Sequence, residues 1–336
     1  MKLLIWGAGA IGGTIGAYLA RAGHDVVFVD VVEEHVAAIN ERGLSITGPI
    51  DQFTVNAQAY NPESLAGEYE TVLLCVKAQD TRAAAKSIAP YLSADGYIVS
   101  VQNGLNELVI KEIVGAERTV GAFVNFGADY MGPGTVLFGG RGAVVLGELD
   151  GAHTERIAAL HSAFLDFDEN AIVTDNIFGY LWGKLAYGAQ LFVTALTNDS
   201  IADCLADPDY RDLYIAIAKE VLRVAAAKDI TPQAFNGFDP NAFLPDAPME
   251  VSVKSLDEMV AHNRKSAKTH SGIWRDLAVR KRRTEADAQL GPIVDAGKRS
   301  GVPTPLTTRL LALVHDIEDG IRPQERENLD LLMELI

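Results

Sequence analysis

Apolar residues change their spacing about halfway along this chain. In the first half they form short unbroken runs: Leu3-Leu-Ile-Trp6, Val26-Val-Phe-Val29, Thr71-Val-Leu-Leu-Cys-Val76 and Tyr97-Ile-Val-Ser-Val101. Such runs, alternating with stretches of 3.6-residue periodicity, predict parallel strands buried on both faces. Strands are expected at 2–6, 23–29, 71–76 and 96–101, with further ones at 119–126, 135–148 and 171–174 and short irregular ones within 44–60. The turn Met131-Gly-Pro-Gly134 joins 119–126 to 135–148, and helices are expected at 14–21, 32–42, 81–92 and 152–165. From Gly179 long helical patterns take over, at 180–196, 207–228, 255–263, 286–296 and 307–318, broken at Gly301-Val-Pro-Thr-Pro305. The pattern predicts an α/β N-terminal domain over 1–176, built on a doubly wound, mostly parallel sheet, followed by an all-α C-terminal domain over 177–336. At 336 residues the chain is long enough for two such domains.

The first thirty residues form a strand–turn–helix–strand unit with G-x-G-x-x-G at its turn: Gly7, Ala8, Gly9, Ala10, Ile11 and Gly12. Gly7 permits the tight turn, Gly9 lets a pyrophosphate approach the backbone, and Gly12 lets helix and strand pack closely. The helix start then offers N–H groups and a partial positive charge to phosphates. Asp30 ends the second strand, where a carboxylate accepts from the ribose hydroxyls of NAD and repels the 2′-phosphate of NADP. Val31-Val-Glu33-Glu34 add no cation. The stretch favours NAD, with NADP as the alternative; the plainer reading of Asp30 is a turn residue at a strand end.

Composition narrows the classes. A net charge of −16 argues against a nucleic-acid or anionic-membrane partner, and an anionic substrate would need a local cationic pocket. The two cysteines, Cys75 and Cys204, form neither a disulfide framework nor a metal pattern, and the seven histidines are scattered, so no metal is expected. No basic leader precedes the first strand and no apolar run reaches membrane length, which points to a soluble cytoplasmic protein.

Candidate chemistry lies at strand ends and on one helix. Lys77 follows a buried strand and Asn103 follows another, the positions at which a doubly wound sheet meets its ligands. A solvated lysine and a turn-forming Asn-Gly are the plain readings of the same residues. Lys184 is the only charge in the apolar helix 180–196. Burial would lower its pKa and make it a usable proton carrier, unless it snorkels to water. His270-Ser-Gly-Ile-Trp-Arg-Asp276 is an unusual polar, aromatic segment. The basic run 280–283 after it reads as a solvated helical face.

Taken together, these pieces resemble the ketopantoate reductase family. The match runs through Gly7–Gly12, Val76-Lys77-Ala, Gln102-Asn103-Gly104, Leu181-Trp-Gly-Lys184-Leu-Ala, Arg283-Thr-Glu285-Ala-Asp287 and Gly301-Val-Pro-Thr-Pro305. The resemblance implies a Rossmann domain, a helical domain and an active site in the cleft between them. It implies Lys184 as general acid, Glu285 orienting substrate or lysine, Asn103 holding cofactor and substrate, and Lys77 near the nicotinamide end. A homodimer follows by analogy only. The family's lysine helix carries asparagines one and two turns after the lysine; here those positions hold Gly188 and Phe192. The family's substrate-binding serine falls in a region that here contains His270, Ser271 and Arg275, candidates for a carboxylate. In place of an arginine for NADPH stand Asp30 and Val31. These departures point to a different small 2-oxo or 2-hydroxy acid, to NAD, and to oxidation as the working direction; the alternative that the resemblance leaves is the family's own NADPH-dependent ketopantoate reduction for pantothenate synthesis. A beta-hydroxyacid dehydrogenase would need a Ser- and Gly-rich loop that Gln102-Asn-Gly-Leu is not. A non-catalytic NAD sensor would need neither Lys184 nor Glu285.

Overall fold

The structure is a computed structural model, and it describes residues 1–235, 237–265 and 269–336. The chain divides into two units, Met1–Ile177 and Phe178–Ile336.

In the first unit the runs become β1 (Lys2–Trp6), β2 (Asp25–Val29), β6 (Tyr69–Leu74) and β7 (Leu92–Ser100). With β5 (Gln58–Tyr60), β8 (Thr119–Val124), β11 (Val144–Glu148) and β12 (Ile172–Val173) they form one sheet, ordered β12-β11-β8-β7-β6-β1-β2-β5. All neighbours pair in parallel except β8 and β11. Reading β5 as the third strand, the order 3-2-1-4-5-6 reverses between β1 and β6, the point at whose carboxyl ends sheets of this kind take their ligands. Both faces are covered. Leu3, Ile5 and Phe28 pack with α1 (Ala10–Arg21), α2 (Glu33–Arg42) and α5 (Glu155–Leu165). Leu4, Trp6 and Val29 pack with α3 (Thr81–Ile88) and α4 (Glu107–Val114).

Several local expectations change. The segments 119–126 and 135–148 are not two strands joined by the turn at 131–134. Instead β9 (Gly127–Gly132) and β10 (Thr135–Gly140) make that hairpin and join β3 (Leu44–Thr47) and β4 (Phe53–Val55) in a second sheet, β4-β3-β10-β9. Gly139-Gly-Arg-Gly142 breaks the long apolar run, and Gly142 lies so close to the Asn125 carbonyl that a Cβ would overlap it. The helix expected at 81–92 stops at Ile88, since Pro90 can neither donate nor follow an α-helical residue comfortably. The basic run 280–283 is an exposed loop with Lys281 at φ 50°, not a helical face.

The second unit is helical: α6 (Ile177–Thr194, starting at the boundary), α7 (Ile201–Ala206), α8 (Arg211–Ala226), α9 (Met249–Arg264), α10 (Gly272–Trp274), α11 (Ala286–Gln289), α12 (Gly291–Ser300), α13 (Pro305–Glu318) and α14 (Glu327–Met333). The pattern 286–296 becomes two helices, because Pro292 restarts the backbone at α12. Buried Glu220 on α8 caps α13, accepting from Leu306 N at 3.1 Å, Thr307 N at 2.7 Å and the Thr307 hydroxyl at 2.7 Å. No helix of the described residues is long and apolar enough to cross a membrane.

Candidate active-site residues

The glycine turn is closed below and open above. Gly7 has φ +100° and a Cβ there would sit 2.9 Å from Val76 N. At Gly12 a Cβ would overlap the Gly7 carbonyl and meet Ile5 and Cys75 at 2.9 Å. At Gly9 no heavy atom lies within 4 Å of the Cβ position. Helix α1 starts at once at Ala10, with no side-chain cap and no acid in its first turn. Its first N–H groups, with Ala10 and Ile11 leading the helix, therefore remain available to an anion. These features fit a pyrophosphate.

Asp30 directly follows β2 and is already tied into the backbone around it. Its carboxylate accepts from Ala8 N at 2.9 Å and Val32 N at 3.0 Å, which fixes both the turn and the entry to α2. A carboxylate has about four acceptor positions, so two remain for hydroxyls. The next lysine or arginine along the chain is Arg42, which donates to the Pro133 carbonyl at 3.0 Å.

Lys77 and Asn103 follow the adjacent strands β6 and β7, and both are exposed. A buried polar chain ties these two strand ends together. Gln102 Nε2 donates to the Val76 carbonyl at 2.9 Å and to Thr81 Oγ1 at 2.8 Å; Thr81 donates to Asn106 Oδ1 at 3.0 Å; and Asn106 Nδ2 donates to the Asn103 carbonyl at 2.7 Å. Sequence reasoning missed Thr81 and Asn106, and saw Gln102 only as part of a motif. The signal available was polar residues flanking a buried strand end. Next to this chain lies Glu107, wholly buried on α4. Neither of its carboxylate oxygens has a well-formed hydrogen bond among the described residues. Burial pushes its carboxyl up to about 7, which its own backbone N–H and the neighbouring Ser100 hydroxyl offset only in part.

In the second unit, α6 presents one open face. From Tyr180 onward its partly exposed positions are Tyr180, Lys184, Tyr187, Gly188 and Leu191, a stripe at helical spacing, while the rest are buried. Lys184 is thus on the open face, half-buried among apolar neighbours along the helix. Gly188 shares that face, and a Cβ on it would meet nothing nearer than Gln289 Oε1 at 3.7 Å. Gln289 lies one turn after Glu285, and its N–H donates to the Glu285 carbonyl at 3.0 Å. The turn after Lys184 therefore faces the turn after Glu285. Phe192 does not share the stripe: it is wholly buried, and Leu191 takes the open position instead. As placed, Phe192 offers no surface to a substrate.

Glu285 is held from both sides. Glu318, nearly buried, accepts from the Thr284 N–H and hydroxyl, each at 2.7 Å, and from Arg283 at 3.0 Å. Asp287 meets His315 at 3.0 Å. The segment around His270 is largely self-occupied. His270 stacks on Trp274 with centroids 4.1 Å apart, and its ring nitrogens meet the Thr269 hydroxyl at 2.9 Å and the Asn198 carbonyl at 3.3 Å. Ser271 caps α10, accepting from Trp274 N at 3.1 Å. Arg275 opens a wider helical turn, closed by Arg280 N to its carbonyl at 2.8 Å, of the kind found often at functional sites.

This is the build of a two-domain oxidoreductase that works on a CH–OH group with a nicotinamide cofactor. Family models narrow the class: one described as "Ketopantoate reductase PanE/ApbA" matches residues 3–151 and its C-terminal counterpart matches 176–318. The chain belongs to the ketopantoate reductase family. The 2-dehydropantoate 2-reductase of Pyrococcus horikoshii is 30% identical over 317 residues, covering 94% of this chain and 96% of its own length. A solved PanE/ApbA family ketopantoate reductase from Ralstonia eutropha JMP134 is 28% identical, with a TM-score of 0.79 over 95% of this chain and 99% of that one. A D-mandelate dehydrogenase solved with NADH and anilino(oxo)acetate shares the fold at 24% identity, with a TM-score of 0.80 over 96% and 99% of the two chains.

Proposed function

We propose that this chain interconverts a 2-oxo acid other than ketopantoate and its 2-hydroxy acid, with NAD(H) rather than NADP(H). Lys184 carries the reading: it is the single charge of α6, it lies on that helix's open face, and its next turn meets the turn after Glu285. Gly7 to Gly12, Asp30, Lys77 and Asn103 are the residues that would hold the cofactor. When bound, the nicotinamide supplies or accepts the hydride.

Lys184 handles the proton. In reduction its ammonium donates to the carbonyl oxygen, and in oxidation the neutral amine takes the hydroxyl proton; such help contributes about 10²–10⁴-fold. Its positive charge also steadies a developing alkoxide. Glu285, fixed between the Thr284–Glu318 and Asp287–His315 contacts, orients the lysine or the substrate. Gly188 leaves room where the family places an asparagine, which supports a substrate of different shape. His270, Ser271 and Arg275 are the candidates for the substrate carboxylate; the Arg275 guanidinium can meet it with two N–H groups, and His270 and Ser271 also bond within their own loop.

The test is steady-state turnover of the purified chain with ketopantoate and a panel of 2-oxo and 2-hydroxy acids, each with NAD(H) and NADP(H). Expected is weak ketopantoate reduction and one strong NAD-linked substrate in the panel. Efficient ketopantoate reduction with NADPH, the activity named for the P. horikoshii relative, would overturn the substrate and cofactor reading together. Lys184→Ala should lose at least about a hundredfold in kcat while NADH binding is kept.

A further inference from the structure

We propose that His35 is a positioning residue for the cofactor turn: it pins the Ala8 carbonyl, aims the Gly9 N–H outward, and makes the β9–β10 hairpin part of the cofactor-binding apparatus. This rests on the dinucleotide reading of the turn.

His35 lies on α2 and is buried. Its Nδ1 accepts from the Gly134 N–H at 2.9 Å. A backbone N–H only donates, so Nδ1 carries no proton there. The proton sits on Nε2, which donates to the Ala8 carbonyl at 2.9 Å. The two bonds together allow one tautomer only.

Ala8 is then held at both ends. Its N–H goes to Asp30 and its carbonyl to His35. The peptide between Ala8 and Gly9 is planar and trans, so its C=O and N–H point in opposite directions. Drawing the Ala8 oxygen inward to His35 turns the Gly9 N–H the other way. On Gly9 the Cβ position has no heavy atom within 4 Å, so there is room for a phosphate to approach. Were this peptide to flip, a carbonyl dipole would face the phosphate in place of a donor.

The far side of the imidazole is anchored as well. Gly134, in the hairpin turn at φ +72°, donates to His35, and its carbonyl accepts from Ser45 N at 2.9 Å. A Cβ on Gly134 would come to 3.1 Å from Ala38 Cβ, so the hairpin turn rests on α2. Tyr130 of β9 packs edge-on against the His35 ring, with centroids 5.1 Å apart and planes at 82°. The second sheet thus reaches the Ala8 carbonyl of the glycine turn through the His35 side chain.

Two amide variants separate the two bonds. The longer Gln side chain in His35→Gln can still place an N–H near the Ala8 oxygen. In His35→Asn the amide oxygen can still accept from Gly134 but cannot reach Ala8. The readouts are NADH affinity by fluorescence titration of the full chain without substrate, and the melting temperature of the chain without cofactor. Expected is about a tenfold weaker Kd for His35→Asn, with His35→Gln within about threefold of wild type and similar melting temperatures for the two variants. NADH bound by His35→Asn as tightly as by wild type overturns the proposal. So does equal weakening in both variants with an equal fall in melting temperature, which would make His35 structural support alone. NADPH is titrated alongside: a chain that binds only NADPH refutes the NAD preference and leaves the His35 comparison readable on that nucleotide. A wild-type chain that binds neither overturns the dinucleotide assignment, and this role with it.

Discussion

Replacing Glu107 by glutamine should make the first unit more resistant to alkaline pH. The carboxyl is wholly buried, its stem packs 3.6 Å from the Cβ position of Gly121, and neither oxygen has a well-formed hydrogen bond among the described residues. Its pKa rises from the ordinary 4.5 to about 7, chiefly because burial penalises the charge. Below 4.5 the folded and unfolded chains both hold the proton. Between 4.5 and about 7 the folded chain keeps it while the unfolded chain has released it, so stability falls as pH rises. Above about 7 both are ionised and the loss is complete. At about 1.4 kcal/mol per pH unit of difference, wild type should lose about 2–3 kcal/mol between pH 5 and pH 8 from this group alone. Glutamine carries a buried amide with its own cost, but that cost does not vary with pH. The assay is calorimetric melting of both proteins at half-unit steps from pH 5 to pH 8.5, read as the difference between them. For a unit of 177 residues the gap should widen towards high pH by about 5–10 °C in Glu107→Gln's favour. Melting curves that run parallel across the range would refute the reasoning, and would mean the carboxylate is compensated or hydrated when ionised.

Two further outcomes follow from the geometry. Gly9→Ala should melt within about 2 °C of wild type yet, on the proposed cofactor reading, bind NADH at least about tenfold more weakly, because its Cβ enters open space beside the turn; Gly12→Ala should lose several degrees, because its Cβ meets the Gly7 carbonyl. Equal melting temperatures for the two would contradict this division of labour. Glu220→Ala should destabilise the helical unit by about 2–3 kcal/mol, since it strips the cap from α13 and leaves buried N–H groups unpaired; denaturant unfolding followed by far-UV circular dichroism checks it.

What could be read from the sequence was what a single segment determines by itself. The G-x-G-x-x-G turn, the acid closing β2 and the lone charge of α6 are local patterns, and they stand where the spacing placed them. The apolar runs predicted strands with two buried faces because successive side chains of β1 divide between two cores. What was hidden depends on pairings far apart in the chain. The second sheet needs β3 to meet β10 ninety residues later, at Ser45 with Thr135, and nothing local to either strand announces that pairing. The same distance hid the bond from Gly134 to His35, which looked like any residue on an acidic helix. Phe192 shows the limit of counting turns. Eight residues after Lys184 at 100° each is 80° off the lysine's direction, enough to move the ring from the open face into the core, whereas Leu191 is 20° off and stays on it. On the reading proposed above, Gly188 and Leu191 are the residues that share the lysine's face of α6, whereas Phe192 acts through packing in the core.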